Sequence, residues 1–326
     1  MRAIVRQAFG GPEQLLIQEV PTPQPKAGEV LVRVKAFGLN RAEQYFRKGL
    51  WGDVASISGI ECVGEVEKDG DGTLRPGSTV IALMGGMGRS IAGSYAEYVC
   101  IPRTHVVVIK TNLGWTELAA IPESYATAWT SLHDNLAIQS GQVVVIRGAG
   151  SALGQAAVNI TSQAGAKVIA TVRSQARSDL LRSRGADHVL LETSNLNTQI
   201  RADHPDGVDC VLEIVGNTTL LDSLRMTRPR GRVCMVGFLG GGEPIAQFNP
   251  LFDLPSGVQL SFFASAFMYG TASYPLSDIP FQKIVDKVVE GSYRAKPSHV
   301  FKFDDIQSAH QMLDAETAGG KIVVSL

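Results

Sequence analysis

The stretch with the clearest chemical potential reads Arg147-Gly-Ala-Gly-Ser-Ala-Leu-Gly-Gln-Ala-Ala-Val158, directly after the β-branched run Gln142-Val-Val-Val-Ile146. Gly148, Ala149, Gly150, Ser151 and Ala152 carry little or no side chain, and Leu153 and Gly154 lead on into a helical pattern. A strand followed by such a loop and a helix lets backbone N–H groups and the positive helix end bind a dinucleotide pyrophosphate. The glycines are spaced G-x-G-x-x-x-G rather than G-x-G-x-x-G, so the strand–loop–helix setting carries the reading more than the motif itself.

The next β-branched segment ends at Thr171-Val172 and continues as Arg173-Ser174-Gln-Ala-Arg177. An NAD site usually places a carboxylate there for the ribose hydroxyls. Two guanidinium groups and a hydroxyl stand there instead. An arginine fork suits a 2′-phosphate, so NADP(H) is the expected cofactor. Glu192, after the third strand of this region, argues the other way.

Other residue types offer less. Cys62, Cys100, Cys210 and Cys234 lie far apart with no C-x-x-C pair, which reads as reduced, buried thiols. The six histidines form no constellation, and no metal site is expected. Thirty basic against 31 acidic residues give a net charge of −1, which offers nucleic acid or a membrane surface no electrostatic attraction. The N-terminus lacks a signal-peptide run and no apolar stretch approaches ~20 residues, so a cytoplasmic protein is expected.

The elements that must position these groups fall into two patterns, as 326 residues lead one to expect. The first third is β-rich and punctuated by Gly and Pro: Glu29–Ala36, Gly59–Glu67, a turn at Arg75 leading into a strand to Ala82, and Gly93–Val99. It predicts a partly closed β-barrel. A helix is expected over Ala119–His133 with Pro122 near its start. Strands at Gln142–Arg147, Lys167–Val172, His188–Leu191, Val208–Glu213 and Arg232–Gly237 then alternate with helices, including Ala176–Arg184. That alternation predicts a doubly wound parallel sheet, making the chain α/β. Towards the end come a helix (Ile279–Glu290), a strand (Ser298–Phe303), a helix capped by Asp304 or Asp305, and a strand (Lys321–Ser325).

Several short motifs recur in a fixed order: Gly10-Gly-Pro-Glu13, Val20-Pro-Thr-Pro-Gln-Pro25, Gly38-Leu-Asn-Arg-Ala-Glu43, Gly59-Ile-Glu61, Gly64, Arg75-Pro-Gly77, Tyr95-Ala-Glu97, the nucleotide loop and Gly320-Lys-Ile-Val-Val324. Together they resemble the zinc-free quinone oxidoreductase branch of the medium-chain dehydrogenase/reductase superfamily. The resemblance implies a GroES-like catalytic domain from residues 1–122 and 265–326, a Rossmann NADP(H)-binding domain from 123–264, and a homodimer. The zinc alcohol dehydrogenases place a Cys ligand where this chain has Leu39-Asn40 and a His ligand where it reads Gly59-Ile60-Glu61, and the lobe of a structural zinc is missing. Glu61 by itself suits a structural hydrogen bond better than a metal.

Without a Lewis acid, a substrate whose carbon is already activated is favoured, which points to quinones and α,β-unsaturated carbonyl compounds. By resemblance Asn40, Tyr45 and Trp51 line the substrate cleft. Asn40 bonds either the substrate carbonyl or a nicotinamide ribose, and Tyr45 is either a proton donor or a wall. Thr127 lies near the nicotinamide. Gly216, Gly237 and Phe238, at strand ends, and Phe263 and Ser265, near the carboxamide and the dimer edge, complete the cofactor set. An enoyl-thioester reductase is the alternative enzyme, although Trp51 replaces that group's proposed catalytic Tyr. A non-catalytic, redox-sensing NADPH-binding protein is the alternative of another class.

Overall fold

The computed structural model describes residues 1–326. Its strands, in chain order, are β1 (Arg2–Arg6), β2 (Leu15–Glu19), β3 (Glu29–Leu39), β4 (Glu61–Asp69), β5 (Thr79–Leu83), β6 (Tyr98–Pro102) and β7 (Val106–Val108). They continue as β8 (Val143–Arg147), β9 (Lys167–Val172), β10 (His188–Leu191), β11 (Val208–Glu213), β12 (Thr227–Met235) and β13 (Gln259–Phe262), then β14 (His299–Lys302) and β15 (Ile322–Ser325). The chain divides into two units. Unit one holds Met1–Glu123, Ala266–Glu290 and Ala295–Leu326, and unit two holds Ser124–Ser265 and Gly291–Arg294.

In unit one the long strand β3 is the spine. One edge pairs with β4; the other pairs with β6 over Glu29–Arg33 and with β15 over Ala36–Leu39. The register slips at Val34/Ala36, and such a bulge bends a strand so that different partners can share one edge. The sheet order is β14-β15-β3-β4-β5-β7, with β6 on β3 and a separate β1–β2 hairpin. Val32, Val34, Phe37 and Leu39 of β3 and Ile322 and Val324 of β15 close one core with Tyr95 and Phe303.

Unit two is a six-stranded parallel sheet in the order β10-β9-β8-β11-β12-β13. The chain leaves β8 towards β10 on one side and returns through β11 to β13 on the other. The strand order therefore reverses between β8 and β11, where ligands bind at the carboxyl ends of such sheets. Val144, Val145 and Ile146 are wholly buried, as a strand covered on both faces requires.

Three local expectations need correction. The strand expected over Gly93–Val99 begins only at Tyr98. The backbone of 93–97 bonds to Ile57, Ser58, Ile4 and Arg2 instead, and a side chain at Gly93 would collide with the Ser58 carbonyl. The helix expected from Ala119 starts at Pro122, because proline fits a first turn and nowhere deeper; its end widens into a π turn over Ser131–Asn135. Asp305 precedes the helix Ile306–Asp314 but its side chain caps nothing, while Asp304 pairs with Arg2.

Candidate active site

The expected cofactor residues, from Thr127 to Ser265, all fall in unit two. The helix Ala152–Gln163 begins at Ser151, whose hydroxyl accepts from the Gly154 N–H at 3.0 Å and donates to the Gly148 carbonyl at 2.9 Å. Ala152 and Leu153 supply first-turn N–H groups, which have no acceptor inside the helix. A Cβ on Gly154 would lie 2.5 Å from Ala149 Cα and from the Gly148 carbonyl oxygen, so glycine alone lets this helix seat on the loop. Gly148 has φ +82°, and its N–H donates to the Thr171 hydroxyl at 3.1 Å.

Arg173 and Ser174 are exposed just past β9, and the half-buried Arg177 reaches back over Gly150, where a Cβ would sit 3.2 Å from its Nη1. Two arginines and the bare helix start thus share one edge of the sheet. Glu192 lies close by, but its charge is already used. Arg147, wholly buried, donates to it at 2.9 Å from Nε and 2.5 Å from Nη2, and the Thr171 hydroxyl donates at 2.9 Å. Arg147 also pairs with Asp222 at 2.8 Å and donates to the Ser223 hydroxyl. Glu213, under the same loop, accepts from the N–H groups of Val215 and Gly216 and from Ser223; its burial pushes its carboxyl up from the usual range.

The other expected cofactor residues occupy defined places. Gly216 and Gly237 end β11 and β12 side by side; with φ +98°, a Cβ on Gly216 would stand 2.6 Å from the Gly237 carbonyl. Phe238 meets Phe262 edge-on at 5.8 Å. Thr127 and Phe263 are buried, and Ser265 is half-buried.

Asn40, Tyr45 and Trp51 fall in unit one: Asn40 precedes the helix Arg41–Lys48, Tyr45 lies on it and Trp51 follows it, with Tyr45 and Trp51 in ring contact. Trp51 stacks on Tyr45 at 6.4 Å and on Phe267 at 6.0 Å, with Phe46 edge-on at 5.6 Å. The Arg89 guanidinium lies 4.8 Å over the Phe267 ring and donates to the Ala266 carbonyl. Burial raises the Tyr45 phenol, which keeps its proton through neutral pH.

Asn40 is embedded in a charged cluster. Its Nδ2 donates to Glu61 Oε1 at 2.8 Å, and its Oδ1 accepts from Lys321 Nζ at 2.5 Å. Lys321 also donates to Glu61 Oε1, and the other Glu61 oxygen accepts from the Glu123 N–H at 2.7 Å. Glu43 binds the N–H groups of Asn40 and Ile60, and burial pushes its carboxyl up to about 7, the Lys321 charge opposing. Phe267, Arg89, Lys321 and Arg147 had no sequence signal as site residues, because each acts through distant partners. A separate groove of about 530 Å³, lined by Arg103, Val107, Gly270 and Pro275 among others, contains none of the expected residues.

A curled sheet carrying a buried charged cluster and, in the second unit, a parallel sheet with a glycine-lined loop at its switch point form an architecture shared with nucleotide-dependent oxidoreductases. Residues 26–111 match the family of alcohol dehydrogenase GroES-like domains, and residues 152–278 match the zinc-binding dehydrogenases. The quinone oxidoreductase of Sus scrofa is 27% identical, covering 100% of this chain and 98% of that protein. That of Rattus norvegicus is 30% identical, covering 74% of this chain and 75% of its own length. A mycobacterial protein solved with NADPH has the same fold, with TM-score 0.88, 24% identity and 100% of both chains covered. The chain belongs to the medium-chain dehydrogenase/reductase superfamily, in its quinone oxidoreductase branch.

The zinc in one family description does not fit these residues. No group of three or more His, Cys, Asp or Glu side chains is placed to hold a metal, and the Glu61 carboxylate is taken up by an ammonium, an amide and a backbone N–H.

Proposed function

We propose that the protein is an NADPH-dependent reductase that delivers hydride to quinones or α,β-unsaturated carbonyl compounds with no metal in the reaction. One observation carries the cofactor half: Arg173 and Arg177 stand just past β9, Arg177 over Gly150, while Arg147 neutralises Glu192, the one carboxylate that argued against a 2′-phosphate. The NADPH of the mycobacterial relative and the glycine cradle support the same reading.

A reduced nicotinamide bound there supplies a hydride. The chain's own residues bind, orient and manage the proton. The first-turn N–H groups of Ala152 and Leu153 would hold the dinucleotide's pyrophosphate. The aromatic row of Tyr45, Trp51 and Phe267 offers a flat face to a ring substrate. Asn40 donates from Nδ2 to the oxygen that gains charge, which stabilises it where no Lewis acid does. That oxygen, or the enolate carbon conjugated to it, then takes a proton from Tyr45 or from solvent. The quinone oxidoreductase relatives support the acceptor class.

The test is oxidation of NADPH by purified protein against naphthoquinone, an enone and a crotonyl thioester. Turnover of the first two with little of the third is the expected result. Preference for the thioester makes it an enoyl-thioester reductase, and tight NADPH binding with no turnover makes it a binding protein.

A further inference from the structure

Asn40, Lys321 and Glu61 differ in one respect that matters for any ligand. Glu61 is wholly buried and Lys321 exposes 5% of its surface, whereas Asn40 is half open. Of the three, only Asn40 can touch a ligand. An asparagine amide offers a donor at one end and an acceptor at the other, and its two flipped states are nearly equal unless neighbours distinguish them. Here they do. An ammonium, which only donates, sits on Oδ1, and a carboxylate, which accepts, sits on Nδ2. The flipped amide would set N–H against ammonium and oxygen against carboxylate, so one state is enforced. Nδ2 has two hydrogens, and Glu61 engages it from one side only.

The space for this arrangement is built into β3. A Cβ on Gly38 would collide with the Lys321 side chain and lie 2.5 Å from Glu61 Oε1. Glycine there therefore admits the buried ammonium beside the strand. Pairing of β15 with β3, Ile322 opposite Leu39, then brings Lys321 alongside Asn40.

We propose that Lys321 is a positioning residue: it makes the partly exposed Asn40 amide an obligate hydrogen-bond donor to the carbonyl oxygen of the substrate. This inference rests on the reductase reading above. The consequence is selectivity for acceptors whose oxygen gains negative charge, because a ligand offering a hydroxyl or N–H to that amide meets no acceptor.

The test compares wild type with K321M, K321R, N40A, N40A/K321M and E61Q/K321M, the last removing both charges so that an unpaired carboxylate does not unfold the protein. Naphthoquinone turnover, NADPH affinity and, with no nucleotide present, the side-chain ¹⁵N–¹H signals of Asn40 (assigned by their loss in N40A) are measured. K321M and E61Q/K321M should lower kcat roughly ten- to a hundredfold, within what one oxyanion donor contributes. NADPH affinity should stay unchanged, K321R should recover part of the loss, and N40A/K321M should be no slower than N40A. The two Asn40 N–H signals should be distinct and slow to interchange in wild type and merge or shift in K321M. A folded E61Q/K321M with unchanged kcat and unchanged Asn40 signals overturns the inference, as do additive losses in N40A/K321M or weakened NADPH binding. A wild type inert to quinones and enones removes the reductase reading and this inference together; an active wild type with an indifferent E61Q/K321M removes the inference alone.

Discussion

Arg147 shows how one side chain can settle the meaning of another. Glu192 by itself would repel a phosphate, yet a buried guanidinium holds one of its oxygens at 2.5 Å while the other accepts from the Thr171 hydroxyl, which in turn receives the Gly148 N–H. Removing one partner of a buried ion pair leaves the other charge uncompensated. R147M should therefore lose about 3–5 kcal/mol of unfolding free energy by denaturant titration, and R147M/E192Q should regain a large part of it. Equal stabilities for the two would mean the pair is idle. In unit one, neutral His310 is similarly placed. Its Nδ1 accepts from Arg47 Nε at 3.2 Å and its Nε2 faces the Tyr95 hydroxyl at 3.0 Å. Burial, helped by Arg47, pushes the imidazole down to about 3. The unfolded chain binds this proton near pH 6.5 and the folded one does not, so the contribution is complete above that pH and lost as pH falls towards 3. H310Q, which keeps an acceptor and a donor without titrating, should flatten the fall in stability over that window. A curve parallel to wild type would show that other groups set acid stability.

Among the elements, the strand–loop–helix at Val143–Gln163 was the most legible, for reasons that live in local sequence. A β-branched run buried on both faces, small residues where backbone must stay bare, and helix-forming residues beyond leave few alternatives. The spacing that departs from G-x-G-x-x-G is explained by contact: Gly154 fits against Ala149 and Gly148. G154A should cost about 1–3 kcal/mol of stability, the usual range for overpacking, and weaken nucleotide binding, which calorimetry would detect. An alanine tolerated at no cost would show that the helix has room to shift. Where sequence reading failed, long-range contacts decided. Residues 93–97 had strand-like composition but were claimed by the backbone of Ile57 and Ser58. Lys321 lies in the motif Gly320-Lys-Ile-Val-Val324, yet its partner Glu61 is 260 positions away and nothing in periodicity pairs them. Phe267 reaches the Trp51 row only because the end of the chain folds back into unit one.

Strand β13 ends the parallel sheet with Leu260 38% and Phe262 56% exposed, and Leu251 and Phe252 nearby in sequence are each 80% exposed. An open strand edge flanked by apolar side chains is able to pair with another chain, and we propose that it forms the seam of a homodimer. Sedimentation should give a dimer for wild type and a monomer for L251D/F252D/F262E; a monomeric wild type would contradict this.

The proposed 2′-phosphorylated dinucleotide at the loop opening on Gly148 makes a direct prediction for stability. A ligand that binds only the folded state raises the melting temperature with concentration over Kd. The decisive measurement is the thermal shift of wild type and R173E with equal concentrations of NADPH and NADH. Wild type should shift by a few degrees with NADPH and clearly less with NADH, and R173E should lose that difference. Equal shifts in wild type, or a preference that survives R173E, would contradict the proposal.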